Sequence, residues 1–429
     1  MKIIYLADIR IPTEKAHGIQ IMKMCEALRD ANIPRTFSKN EYLSEKISGS
    51  GSLSASFRQK AYFFIEKMRG KRIHTNDTNK IEIELIVPKR FNFIKEDPFE
   101  YYSVKKIFKI KKIFCFDLTF FGPVLKSFAF RWSSFWFGFF SSWHAIFHQA
   151  DIIYSRDFPP MFFLSFFKNN LVYEMHTFSR NPFFYKIIFT KTKKIIVITH
   201  KIKEFLIKEG VEKNKILVAP DGVDLKEFEI QATREECRKK LNLPLDKKII
   251  LYTGHLFEWK GAAVLLEAAR KFEILNPKSE TLFVFVGGTE KDINNFKLQI
   301  ANLKLNNILM IGHRPHIEIP YWLKAADVLI LPNSAKEKIS QFYTSPMKMF
   351  EYMASQKPII ASELPSIKEV LNENNAILVE SDNFKALARG IEKALKDNEL
   401  SDKISQRAYS DVQDYTWQKR AENILNFFK

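Results

Sequence analysis

Cysteine is scarce in this sequence: three residues in 429, at Cys25, Cys115 and Cys237. They are odd in number, far apart and in no metal-ligand spacing, so a disulfide framework is excluded and reduced cytoplasmic thiols are expected. CxxC and Asp-x-Asp spacings are absent too, and neither an obligatory metal nor a bound cofactor is expected. A Walker loop and a GxGxxG fingerprint are both missing, which argues against a kinase or a dehydrogenase. The opening MKIIYLADIR has too short an apolar run before Asp8 for a secretory signal and reads as a first strand. No repeat of 20–50 residues suggests a solenoid.

Acidic residues are outnumbered, 49 against 67 Lys and Arg, and the net charge of +18 asks for an anionic partner. Nucleic acid is not expected, since no helix-turn-helix, zinc-finger or RNA-binding signature occurs. A nucleotide diphosphate or an anionic membrane surface remains. Length alone suggests two domains.

Apolar runs of strand length recur, each followed by a loop or helix: KIIYLAD, IEIELIVP (81–88), DIIYSRD (151–157), LVYEMH (171–176), KIIVITH (194–200) and KILVAPDGVD (215–224). A second series follows: KKIILYTG (247–254), TLFVFVGG (281–288), NILMIGHRP (307–315), DVLILPNS (327–334) and PIIA. Such runs indicate parallel sheets covered on both faces, whose ligands bind at the strand C-terminal ends. Ile21, Met24, Cys25 and Leu28 mark one buried helix stripe after the first strand. The stretch SGSGSLSAS (48–56) reads as a loop.

Residues 101–150 stand apart. The basic run KKIFKIKK (105–112) precedes FAFRWSSFWFGFFSSWHAIFHQA, which has 19 residues after Arg131 without a formal charge. Three readings stay open: a core helix, an interfacial aromatic segment whose lysines meet anionic lipid, and a membrane span.

The most informative stretch is YTSPMKMFEYMASQKPIIASE (343–363). Ser345 and Pro346 suit a helix start, the Ser hydroxyl as a cap and the proline in the first turn. Met349, Phe350 and Met353 give an apolar face, and Pro358 ends the helix. Free N–H groups at such a start suit a phosphate, and the Glu351 carboxylate can accept from sugar hydroxyls.

SPMKMFEYMASQKPIIAS closely resembles the donor-site signature of family 4 retaining glycosyltransferases. The resemblance implies a GT-B fold, with two doubly wound Rossmann-like domains facing a central cleft. It implies an acceptor-side domain at 1–224, a nucleotide-sugar domain at 225–410 and a crossover helix at 411–429. It also implies a retaining hexosyl- or N-acetylhexosaminyltransferase that uses a nucleotide-diphosphate sugar as co-substrate. In the family, the carboxylate matching Glu351 binds the ribose, and the segment matching Ser345, Pro346, Met347 and Lys348 holds the pyrophosphate. An acidic residue is usual where Tyr343 stands, which leaves the donor sugar open.

Further matches follow the same pattern. Gly18 stands where a family glycine meets donor phosphates or acceptor. Gly254, His255 and Lys260 occupy the pyrophosphate loop, with His255 in place of the usual Arg. Gly287 and Gly288 end a strand at the donor site, and His313, Arg314 and Pro315 match the segment lining the base. His176 matches a residue beside the reacting sugar. On this resemblance His176, Lys260 and Glu351 carry catalysis. The implied acceptor is a glycan or lipid-linked glycan of bacterial surface polysaccharide or lipopolysaccharide synthesis. The implied location is cytoplasmic, peripheral to the membrane if 101–148 docks there. Two alternatives are a sugar-nucleotide epimerase or hydrolase on the same plan, and an inactive basic membrane- or nucleic-acid-binding protein.

Overall fold

The computed structural model describes residues 1–31, 81–118, 126–176, 182–275 and 280–428. The loop expected at 48–56 and Thr177, just past His176, lie outside them.

Two parallel sheets organise the chain. The first runs in the order β3-β2-β1-β4-β5-β6-β7. Its strands are β1 (Lys2–Leu6), β2 (Glu82–Pro88), β3 (Lys109–Ile113), β4 (Ile152–Ser155), β5 (Leu171–Met175), β6 (Thr192–Val197) and β7 (Ile216–Val218). The second runs in the order β10-β9-β8-β11-β12-β13. It comprises β8 (Lys248–Thr253), β9 (Thr281–Val286), β10 (Ile308–Gly312), β11 (Val328–Leu331), β12 (Ile359–Ser362) and β13 (Ile377–Val379). In both, the order reverses beside the first strand, which opens a crevice at the strand C-terminal ends. Ile3, Ile4, Leu85, Ile153, Ile250, Leu251, Leu329 and Ile360 are almost fully buried, as strands covered on both faces require.

β3 is a strand that the sequence reading did not place: within KKIFKIKK, residues 109–113 pair with β2 in parallel register, Glu84 opposite Lys109. Lys109, Lys111 and Lys112 are exposed there. Three lysines on an edge strand discourage pairing with another chain.

Helix α1 (Ala16–Asp30) follows β1 and buries Ile21, Met24, Cys25 and Leu28. Helix α2 (Lys126–Phe147) carries the aromatic segment and packs on α3 (Phe158–Leu164). No helix among the described residues is long and apolar enough to cross a membrane, so the spanning reading of 101–150 is not met. Nor is α2 a wholly buried core helix, because Phe128, Trp132, Phe135, Phe139, Trp143 and Phe147 are exposed.

Helix α4 (Met347–Ala354) is buried along its whole length, with Met349, Phe350 and Met353 facing the second core. Helix α5 (Trp417–Phe427) leaves the second domain and packs on α1. Trp417, Ile424, Leu425 and Phe428 join the core of the first sheet. Each such side chain contributes roughly 1.5–3 kcal/mol by its burial. A parallel bridge between Val223 and Thr416 brings the two interdomain crossings together.

Candidate active site between the two sheets

The loops beyond the C-terminal ends of both sheets enclose a cavity of about 340 Å³, within the ordinary range for small-molecule sites. Thr13, His17, Gln20, Arg156, His176 and Asp221 line it from the first domain. Gly254, His255, Lys260, Gly287, Gly288, His313, Arg314, His316, Lys348 and Glu351 line it from the second.

On the second-domain wall, β8 and β9 end in glycines because their backbones nearly touch. Gly254 and Gly287 both have φ near 119°, and a Cβ on Gly287 would overlap the carbonyl of Gly254. The glycines leave this wall free of side chains, so a ligand can approach the backbone.

Two ammonium groups flank that opening. Burial pushes Lys260 down to about 8, with Glu351 opposing the shift. Burial and then the charge of Lys260 hold Lys348 well below the ordinary lysine value. The Lys348 Nζ donates to the carbonyl of Thr253 at 3.3 Å and sits 4.0 Å from the centre of the Tyr252 ring. Neither lysine makes an ion pair with a carboxylate among the described residues. Buried cations without an anion are costly, so this wall is preorganised for a negatively charged ligand. His255 adds little charge: burial, then Lys260, lowers it to about 4. Its ring stacks on Phe257, and its buried Nδ1 has no hydrogen-bond partner among the described residues.

Glu351 is held by a residue the sequence reading missed. His316 Nε2 lies 3.0 Å from Glu351 Oε1, and its Nδ1 lies 3.8 Å from Glu227. Burial lowers the His316 pKa, but the hydrogen bond and charge of Glu351, with Glu227, outweigh it and the net shift is upward. Lys23 of α1 continues the chain, 2.7 Å from Glu227 and 3.1 Å from Asp224.

Ser345 does not cap α4. The helix begins after Pro346 with no side-chain cap, and the Ser345 hydroxyl instead accepts from the backbone N–H of Asp221 at 3.0 Å. The serine serves the contact between domains, and the first N–H groups of α4 are left to other partners.

The first-domain wall is built around Glu174, a fully buried carboxylate on β5. It accepts from Arg420 at 2.9 Å, from Gln20 at 3.0 Å and from the Tyr154 hydroxyl. His176, two residues on and so on the same side of the strand, places Nε2 2.7 Å from Glu174 Oε1. Burial would raise the Glu174 pKa, but Arg420 and His176 hold it well below the usual carboxylate range. Burial and then Arg156 lower His176, which is therefore neutral near pH 7. A neutral imidazole donating from Nε2 leaves Nδ1 as an acceptor.

The structure thus brings His176, Gly254, His255, Lys260, Gly287, Gly288, His313, Arg314, Ser345, Pro346, Met347, Lys348 and Glu351 to one cavity, with Tyr343 beside them. Pro315 is not on its lining. Gly18 is not either: it is buried under Tyr102, whose hydroxyl a Cβ there would overlap. Sequence reasoning missed His17, Gln20, Arg156, Asp221 and His316 on the lining, with Glu174 and Arg420 behind it. For His316 a signal existed, the second histidine of HRPH; for Arg420 there was none. Among the described residues no three His, Cys, Asp or Glu groups could hold a metal ion.

Residues 233–411 match the profile of the family described as Glycosyl transferases group 1. Spore coat protein SA of Bacillus subtilis is 27% identical over 232 residues, covering 51% of this chain and 59% of that protein. The UDP-Gal:alpha-D-GlcNAc-diphosphoundecaprenol alpha-1,3-galactosyltransferase of Escherichia coli is 27% identical over 243 residues, covering 55% and 60%. The matched stretch therefore spans no more than about three fifths of either relative. The HepE structure from Anabaena in complex with UDP and glucose superposes with a TM-score of 0.68 at 15% identity, covering 99% of this chain and 98% of that one. WaaG, a glycosyltransferase involved in lipopolysaccharide biosynthesis, superposes at 0.61 and 14% identity, covering 100% and 99%. Residues 233–411 of the second domain are therefore similar to the glycosyl transferases group 1 family, in a chain that has the GT-B fold.

Proposed function

We propose that the protein transfers a sugar from a nucleotide-diphosphate sugar to an acceptor hydroxyl, with retention at the anomeric carbon. The observation that carries this reading is the pair of lysines, Lys348 buried and Lys260 partly buried, neither with a carboxylate partner among the described residues, beside the start of α4 and Glu351. A diphosphate supplies the missing negative charge, and Glu351 takes the ribose hydroxyls. As the bond to the anomeric carbon breaks, charge grows on the diphosphate, and the lysines and helix N–H groups stabilise it without a metal being assigned there. His176, fixed by Glu174, accepts a hydrogen bond from a sugar or acceptor hydroxyl. The departing phosphate oxygen takes the acceptor proton, as front-face attack requires. Closure of the two domains over the cavity would keep water out.

The sugar is a hexose or N-acetylhexosamine, and the acceptor a glycan or lipid-linked glycan of surface polysaccharide or glycolipid synthesis. The E. coli relative, named for a diphosphoundecaprenol-linked sugar, supports that class. The reading places the enzyme in the cytoplasm, peripheral to the inner face of the membrane.

A thermal-shift screen of nucleotide sugars tests the reading, beginning with UDP sugars because HepE holds UDP. A true donor at about a hundred times its Kd adds about 2.7 kcal/mol of stability. No stabilisation by any nucleotide sugar would contradict the proposal. Release of free sugar, unchanged by adding acceptors, would identify a hydrolase instead.

A further inference from the structure

We propose that the outer face of α2 docks on an anionic bilayer, and that the acceptor is a membrane-borne amphiphile reaching the cleft from that face. This rests on the transfer reading and names its acceptor class. The helix is built inside out. Its inner stripe, packed on the sheet, is Ala129, Ser133, Phe137, Ser141, Ser142 and Ala145, mostly small or polar. Its outer stripe, Phe128, Trp132, Phe135, Phe139, Trp143 and Phe147, is aromatic throughout and between 38% and 67% exposed. Helical spacing puts all six on one side of a rod about 33 Å long. A contiguous aromatic face of this size is not left in water without a partner.

The location matters as much as the composition. Ser133 accepts from Arg90 Nε at 2.9 Å, Ser134 donates to Asp8, and Arg90 pairs with Asp8 at 2.6 Å. Asp8 and Arg90 follow β1 and β2, so the first half of α2 lies at the C-terminal edge of the sheet, where the cavity opens. At its other end His144 meets Glu84, within β2. Phe91 and Phe93, in the loop after β2, are 49% and 78% exposed and extend the aromatic surface along that edge. The loop is tied to the cleft side, since Asn92 donates to the carbonyl of Pro12 at 2.8 Å.

Charge selects the occupant. Helix α2 contains no acidic residue. Lys109 and Lys111 are exposed on the face of the neighbouring strand β3 that α2 covers, and Lys111 pairs with no carboxylate among the described residues. Two copies meeting through this surface would bring like charges together. A bilayer with anionic headgroups instead receives the lysines while Phe and Trp enter the interfacial zone. The small, polar inner stripe keeps α2 on its sheet, so it lies along the surface.

The test is flotation of the full chain with phosphatidylcholine vesicles and with vesicles that also contain phosphatidylglycerol. Flotation on the anionic vesicles at low salt, weakened by high salt, is expected. A blue shift of tryptophan emission on binding is expected as well. Each of Lys109→Gln and Lys111→Gln should lower the partition constant about fivefold. Trp132→Ser with Trp143→Ser should remove binding to both vesicle types, and exposed positions of this kind leave the fold intact. Failure to float with either vesicle overturns the proposal. So does a soluble dimer in ultracentrifugation that the same tryptophan substitutions dissociate. Nucleotide binding, measured by calorimetry without lipid, separates the two readings: binding without flotation overturns the docking face alone, and flotation without binding overturns the transfer reading.

Discussion

Arg420 of the terminal helix and Glu174 of β5 lie 2.9 Å apart, both withdrawn from solvent and 246 positions apart in the chain. The same guanidinium holds the carbonyl of Pro220 through Nε at 2.8 Å. Next in the chain, the Asp221 N–H donates to Ser345, just ahead of α4. Glu174 in turn orients His176. One arginine on α5 therefore fixes His176, through Glu174, and the segment just ahead of α4, so the crossover helix does more than clasp the domains.

Replacing Arg420 with alanine should show this cost directly. Removing one partner of a buried pair leaves the other charge uncompensated, typically at about 3–5 kcal/mol. Denaturant unfolding of Arg420→Ala should report a loss of that order, with a lowered midpoint. A loss under about 1 kcal/mol, the ordinary worth of a surface pair, would mean that the contact is solvated.

The Glu351 carboxylate is assigned to the nucleotide ribose. Glu351→Ala should weaken binding of the nucleoside diphosphate by about 1.5–3 kcal/mol, the worth of a hydrogen bond to a charged group. Calorimetry measures this. Unchanged affinity would free Glu351 from that role and leave it as the partner of His316.

Proton linkage gives a prediction specific to the two lysines. Lys260 titrates near 8 in the folded protein, against 10.5 ordinarily. Between those values the unfolded chain holds more protons, so this group's contribution makes stability rise with pH across that window. A bound diphosphate favours the charged form and restores the proton. Binding of UDP at pH 8 should therefore take up about half a proton from Lys260 alone, and more as Lys348 joins. Calorimetry in buffers of different ionisation enthalpy measures the uptake. Lys260→Arg should remove its share, because guanidinium stays charged. Zero uptake in the unsubstituted protein would contradict the charge assignment.

Most of the strands were legible because they are short continuous apolar runs buried on both faces, as KIIYL and TLFVFV are, whereas β13 is three half-buried residues that no run announced. β3 was not, since three of its five residues are lysines facing solvent and its identity comes only from pairing with β2. Helix α4 was legible from Met349, Phe350 and Met353, while the partner of Ser345 was not. A serine before a helix suggests a cap, and only the interdomain contact shows that its hydroxyl is used by Asp221. Residues within one loop, such as Gly254 to Lys260, could be placed together from sequence. Pairs such as Glu174 with Arg420, or Glu351 with His316, depend on how two domains meet, and no local pattern encodes that. Gly18, matched by resemblance to a ligand-contacting glycine, lies off the cavity lining, and its small size accommodates Tyr102.

The central claim is a division of labour, with the donor nucleotide held by the second domain and the transfer centre shaped by His176 on the first. The most direct test compares His176→Ala with the unsubstituted enzyme, using the donor found in the stability screen, and measures donor Kd and turnover separately. Turnover should fall by about 10²–10³, the effect of losing one transition-state contact, while donor Kd barely moves. If donor affinity falls with it, or if turnover per folded molecule stays normal, His176 is a structural residue and the division is wrong.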